Sequence, residues 1–210
     1  MLNKKNKYYF AVALAILLAT SAYFFLEVLE KDELPVLSEV IGKENGENIY
    51  YGIDDFSGFD QNGNSFSQAK LKGKVHLANF FFCSCPVVCP KMTVETKKVV
   101  DAIGEREDFL MVSYSIDPKR DSSEQLMNFA NRFEANKSNW YFLNVGKENV
   151  YKLARYSYKI VAVQGSEGNN DFIHSEVLTL VDDQLRIRGY YDSTKPEEIE
   201  KLIKDLKKLL

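Results

Sequence analysis

Histidine and cysteine are scarce in this chain of 210 residues: there are two histidines, His76 and His174, and three cysteines, all between positions 83 and 89. An odd number of thiols cannot pair completely, so at least one is free or metal-bound. A bridge across the short step from Cys85 to Cys89 would restrict little unfolded-chain entropy, which makes a purely structural staple a poor explanation for the trio. A strong basic excess is also missing. The net charge of −3 gives no reason to expect nucleic acid as a partner. No internal repeat and no low-complexity tract interrupts the chain, and 45% hydrophobic with 27% charged residues suits one globular domain carrying one apolar segment.

Charge is absent from Tyr8 to Leu26, a run of 19 residues rich in Ala, Leu and Phe and long enough to cross a bilayer core as a helix. Lys4, Lys5 and Lys7 precede it, and Glu27, Glu30, Asp32 and Glu33 follow it. The positive-inside bias then places residues 1–7 in the cytoplasm, 8–26 in the membrane and the rest outside. Ala19 to Ala22 would serve a cleaved secretory signal, but Tyr23-Phe24-Phe25-Leu26 continues the apolar run and favours an uncleaved anchor. No cysteine follows the segment, which argues against a lipoprotein. The start is neither Arg-rich nor an amphipathic transit peptide, so a bacterial inner membrane, with the domain on its periplasmic or extracytoplasmic side, is expected. Residues 27–48 read as a charged linker and 49–210 as the domain.

Within the domain, Ile49 to Ile53 reads as a first strand, and Phe59 to Phe66 carries the Asn62-Gly63 signal of a tight hairpin. Val75 to Phe82 is a near-continuous apolar run, as in a strand covered on both faces. The pattern predicts a helix over Met92 to Ile103 that stops at Gly104, a strand over Phe109 to Ile116, and a helix capped by Asp121 or Ser122 that runs to Phe133. A strand over Trp140 to Val145, a helix over Lys147 to Tyr156, a hairpin across Asp182-Asp183 and a terminal amphipathic helix from Lys195 complete the pattern. Alternating strands and helices followed by a hairpin indicate an α/β sandwich with a mixed central sheet.

The chemistry points to Phe80-Phe81-Phe82-Cys83-Ser84-Cys85-Pro86-Val87-Val88-Cys89-Pro90. A strand that ends in a turn and a helix N-terminus favours thiolates, because free N–H groups and the positive end of the helix dipole face the sulfur. His76 reads as an ordinary residue of the strand before the cysteines. His174 follows a Gly/Asn-rich loop, from which a ring can be presented to a site built elsewhere. Two thiolates and one imidazole make a soft, low-coordination set suited to Cu(I), with Zn as competitor; blue copper, which wants one Cys and two His, does not fit.

These residues resemble the Sco/SenC copper proteins, membrane-anchored thioredoxin-like domains that deliver copper to the CuA centre of cytochrome c oxidase. The likeness spans roughly 55–210. Cys85-Pro86-Val87-Val88-Cys89-Pro90 is similar to the CxxxCP motif, Ser115-Ile116-Asp117-Pro118-Lys119-Arg120-Asp121 to the S-[VI]-D-P-x-R-D segment, and His174-Ser175 to the H-S pair. The resemblance implies a thioredoxin-like fold, a metal site of Cys85, Cys89 and His174, and copper as cofactor, with Cu(II) accessible if a further donor completes a more tetragonal set. It implies a metallochaperone rather than an enzyme, with cytochrome c oxidase subunit II or another copper acceptor as partner. Two departures stand out: Ile173 where Asp is common, and Cys83 as an extra thiol that is a spare ligand, a disulfide competitor or a buried small residue. The rival readings are a thiol–disulfide oxidoreductase using Cys85 and Cys89 with a reductant partner, and a copper or redox sensor. Thioredoxin-like reductants resemble CxxC proteins with a cis-proline loop, and the absence of proline between Pro118 and Pro196 weighs against the former.

Overall fold

The computed structural model describes residues 9, 12–21, 33–160 and 176–210. The chain divides into two compact units, Met1–Leu34 and Pro35–Leu210. In the first, residues 12–21 are helical. Among the described residues no helix is long and apolar enough to cross a membrane; the expected span over 8–26 lies partly outside them.

The second unit opens with a hairpin of β1 (Val40–Glu44) and β2 (Glu47–Tyr50), so residues 40–48, expected as linker, are paired strand and turn. The local cause is Asn45-Gly46, both at positive φ (52° and 88°), the backbone that a two-residue hairpin turn requires. Strand β3 (Ser57–Phe59) pairs with β4 (Ser65–Ser67) around the expected Asn62-Gly63 turn. Asp60 organises that turn by accepting from the N–H groups of Asn62 and Asn64, each at 2.9 Å. Gly58 is required where β3 lies against the backbone of Asn144 and Val145: a Cβ there would sit 2.7 Å from Val145 Cα.

The central sheet has the order β7-β6-β5-β8-β9. It consists of β5 (Val75–Phe81), β6 (Phe109–Ser115), β7 (Trp140–Leu143), β8 (Val177–Val181) and β9 (Ile187–Asp192). Strands β5, β6 and β7 run parallel, and β8 and β9 join antiparallel, which makes the sheet mixed as expected. Every residue of β5 and β6 is buried. Alternation divides their side chains between two layers. Phe80 enters an aromatic cluster with Tyr114 and Tyr158, while Phe81 packs on Phe129 and Phe142.

Helices α1 (Val88–Ile103), α2 (Ser123–Arg132), α3 (Lys147–Lys152) and α4 (Pro196–Leu209) complete the unit, with a π-helical turn at Leu153–Ser157 continuing α3. Helix α1 starts four residues earlier than the periodicity predicts, because Pro90 in a first turn forfeits no intrahelical bond. It ends at Gly104, whose φ of 80° suits a residue without Cβ. Of the two candidate caps for α2, Ser122 takes the role and accepts from Gln125 N–H. The architecture is a thioredoxin-like α/β sandwich.

His76 lies wholly buried on β5, where Nε2 and the Tyr158 hydroxyl are 3.1 Å apart and that hydroxyl is 2.9 Å from Tyr114 Oη. Burial holds the ring neutral and lowers its pKa from 6.5 to about 4. The unfolded chain therefore binds a proton that the folded one refuses, and stability falls as pH drops from 6.5 towards 4. That single group accounts for about 3 kcal/mol of acid destabilisation. In urea titrations across this range His76→Gln should show a shallower pH slope than wild type; equal slopes would mean that His76 does not contribute.

Candidate metal centre

Strand β5 delivers the chain to the cysteines and stops at Phe81, where the carbonyl accepts from Ile116 N–H at 2.9 Å. The next residues turn back through a bond from Cys85 N–H to the Phe82 carbonyl at 3.2 Å, and α1 begins at Val88. No side-chain oxygen caps this helix. The sulfur takes that place: Cys85 Sγ accepts from the N–H of Cys89, the second residue of α1, at 3.3 Å. Thr93 Oγ1 donates to the Cys89 carbonyl one turn further on.

Both sulfurs belong to buried residues, with Cys85 and Cys89 retaining 8% and 5% of their surface, and all three thiols are unpaired by disulfide. Their protonation differs. Burial opposes the Cys85 thiolate, but the backbone N–H groups of Cys89, Val87 and Val88, with the Cys89 thiol, together outweigh it and hold the pKa below the ordinary thiol value. Burial also dominates at Cys89, where Phe82 N–H gives some relief, while Cys85 and the Asp121 charge add to the rise, to about 12. The pair thus presents one sulfur that ionises more readily than an ordinary thiol and one that is held as a thiol.

Cys83 occupies neither role. The strand does not persist to it, so strand alternation does not place it beside Cys85. Its N–H donates to Asp121 Oδ2 at 3.1 Å and its thiol faces the Gln125 carbonyl on α2 at 3.6 Å. Burial first, then the Asp121 charge, pushes its pKa well up. His76 points into the Tyr158 cluster and serves the core. His174, expected as the third donor, lies outside the described residues. Among the described residues no group of three or more His, Cys, Asp or Glu side chains is placed to hold a metal ion. What the fold brings together is the pair of sulfurs, a soft donor set of the kind Cu(I) prefers.

The Ser115-to-Asp121 segment flanks this turn. Asp117 and Arg120 form an ion pair within it, with Arg120 largely exposed. Asp121, expected as a possible helix cap and as the last residue of the S-[VI]-D-P-x-R-D resemblance, is buried at 1% exposure and touches the cysteine loop. Nothing in its sequence neighbourhood distinguishes that role, because the contact joins residues 38 apart. A groove of about 470 Å³ opens beside the first turns of α1, lined by Val87, Val88, Pro90, Val94, Phe133 and Glu176.

Fold and sulfur pair together define a thioredoxin-like dithiol protein with a soft-metal donor set. The SCO1/SenC family pattern matches residues 47–210, and the chain belongs to that family. It is 29% identical over 168 residues to a SCO1 protein homolog of Bacillus subtilis, covering 79% of this chain and 86% of that one. Among solved structures it is similar to BsSco, described as a member of the Sco family of cytochrome c oxidase assembly proteins with a disulfide switch, at 27% identity and a TM-score of 0.65, covering 82% of this chain and 96% of that one. It is likewise similar to Bradyrhizobium japonicum ScoI with copper bound, at 27% identity and a TM-score of 0.61, covering 75% of this chain and 99% of that one.

The uneven pair makes a direct prediction for the reduced, metal-free protein. Cys85 should be alkylated by iodoacetamide near neutral pH at least about tenfold faster than Cys89, since only the thiolate reacts. Its rate should rise through a pKa below that of a free thiol, whereas Cys89 gains rate only in strong base. Peptide mass mapping over a pH series reads both, and equal rates would refute the asymmetry.

Proposed function

We propose that this chain is a membrane-anchored copper-binding protein that delivers copper to the CuA site of cytochrome c oxidase. The observation that carries the reading is the Cys89 N–H directed at Cys85 Sγ, which sets two sulfurs at the start of one helix with the first favoured as a thiolate. Family membership and the copper-bound relative support it. The uncharged run at 8–26 with lysines before it supports an anchor in a bacterial inner membrane with the domain outside.

In this reading Cu(I) arrives first at the Cys85 thiolate, then displaces the proton of Cys89, and His174 supplies a neutral nitrogen. The acceptor's thiolates then replace these donors one at a time. Such exchange needs no net redox change, so the cargo leaves as it came. Oxidation of the two thiols to a Cys85–Cys89 disulfide removes two donors at once, which couples metal occupancy to redox state.

The same asymmetry favours a second reading, thiol–disulfide exchange on the acceptor's cysteines. A thiolate at Cys85 attacks a disulfide sulfur, and Cys89 resolves the mixed disulfide after losing its proton.

Anaerobic Cu(I) titration against a chromophoric chelator separates the two. Wild type should take up about one equivalent, and Cys85→Ala, Cys89→Ala and His174→Ala should each lose affinity by about tenfold or more. An insulin-reduction assay on the same proteins should give no turnover. Turnover that survives His174→Ala, with Cu(I) uptake indifferent to all three substitutions, would replace the carrier with the oxidoreductase.

A further inference from the structure

We infer that Asp121 is a positioning residue for the dithiol site: its carboxylate fixes the Cys83 peptide and, through it, the turn that sets Cys85 against the start of α1. The inference deepens the proposed function and rests on Cys85 and Cys89 being the working pair.

A carboxylate buried to 1% exposure calls for an account, because removing it from water is costly unless its oxygens find donors. Asp121 does not cap α2, since Ser122 does. It forms no ion pair among the described residues; the neighbouring Arg120 pairs with Asp117 instead. Its donors belong to the site's own framework. Oδ2 accepts from Ser115 Oγ at 2.6 Å and from Cys83 N–H at 3.1 Å. Ser115 closes β6 directly opposite Phe81, the last residue of β5, so one oxygen ties the ends of two adjacent strands to the turn that leaves one of them.

Asp121 is itself held from behind. Its N–H donates to the Asp117 carbonyl at 3.0 Å, and its carbonyl accepts from Asn144 Nδ2 at 2.9 Å. Asn144 also reaches the Pro118 carbonyl and exchanges both backbone bonds with Phe59 of β3. Asp121 is thus held to the sheet through Oδ2 and to the β3–β4 hairpin through its backbone carbonyl and Asn144, while the same Oδ2 accepts from the N–H of Cys83, two residues before Cys85. The placement of one acceptor oxygen matters here. Asn keeps such an oxygen in the same position and Glu moves it outward by a methylene.

The test uses the reduced, metal-free protein as well as its Cu(I) form. Asp121→Ala should speed deuterium exchange of the Cys83 amide by about tenfold or more, as expected when a buried amide loses its acceptor. It should also slow Cys85 alkylation and weaken Cu(I) affinity by about tenfold, the scale on which groups orienting a ligand act. Asp121→Asn should restore all three to within about threefold of wild type, and Asp121→Glu should resemble Asp121→Ala. Wild-type exchange and affinity in Asp121→Ala overturn the inference. So does an Asp121→Asn protein as impaired as the Ala variant, which would assign the effect to charge. If Asp121→Ala does not fold, the Asn and Glu variants decide, and a Glu variant with wild-type behaviour refutes the positioning role. Failure of wild type to take up Cu(I) would sink the copper reading alone, since amide exchange and alkylation of the metal-free protein still judge Asp121.

Discussion

An exposed row of backbone donors at the start of α1 is the constraint around which the site is built. A helix begins with N–H groups that have no partner inside it, and here no Ser, Thr, Asp or Asn side chain supplies one. Cys85 Sγ fills the gap. The sulfur that completes the helix is therefore the sulfur most easily ionised, and the structural role and the chemical one reside in the same atom.

Holding that sulfur in place requires a rigid approach from the other side. Strand β5 provides it, with every residue buried between two aromatic layers. Packing at this density resists displacement by even part of an ångström, which transmits the position of β5 to the turn beyond it. The His76–Tyr158–Tyr114 chain of hydrogen bonds lies within one of these layers. His76 Nε2 and the two tyrosine hydroxyls hydrogen-bond one another away from water, at the cost of a histidine that must stay neutral.

The three cysteines are chemically separate although they lie within seven residues. Cys85 faces free N–H groups, Cys89 sits deeper with little to offset its burial, and Cys83 faces a helix carbonyl and a buried carboxylate. The gradation sets the Cys85–Cys89 pair apart from Cys83, whose thiol is hydrogen-bonded to the Gln125 carbonyl. The Asn144–Asp121–Ser115 scaffold keeps the Cys83 peptide in that arrangement.

Local pattern alone determined much of this molecule: the buried strand leading to the cysteines, the alternation that yields a mixed sheet, the Asn62-Gly63 hairpin, and two sulfurs at a strand-to-helix turn. These follow from periodicity and from turn chemistry, which act between near neighbours. The β1–β2 hairpin was legible in Asn45-Gly46 as well, but its charged flanks, with Lys43, Glu44 and Glu47, hid it within an apparent linker. Only tertiary structure decided which thiol is favoured as a thiolate, that Asp121 faces the cysteine turn instead of capping a helix, and that Asn144 braces it. The Cys85 preference sets near-neighbour N–H groups against a burial that only the packed fold determines, and the Asp121 and Asn144 contacts are hydrogen bonds between residues 23 to 38 positions apart, which adjacent residues do not fix.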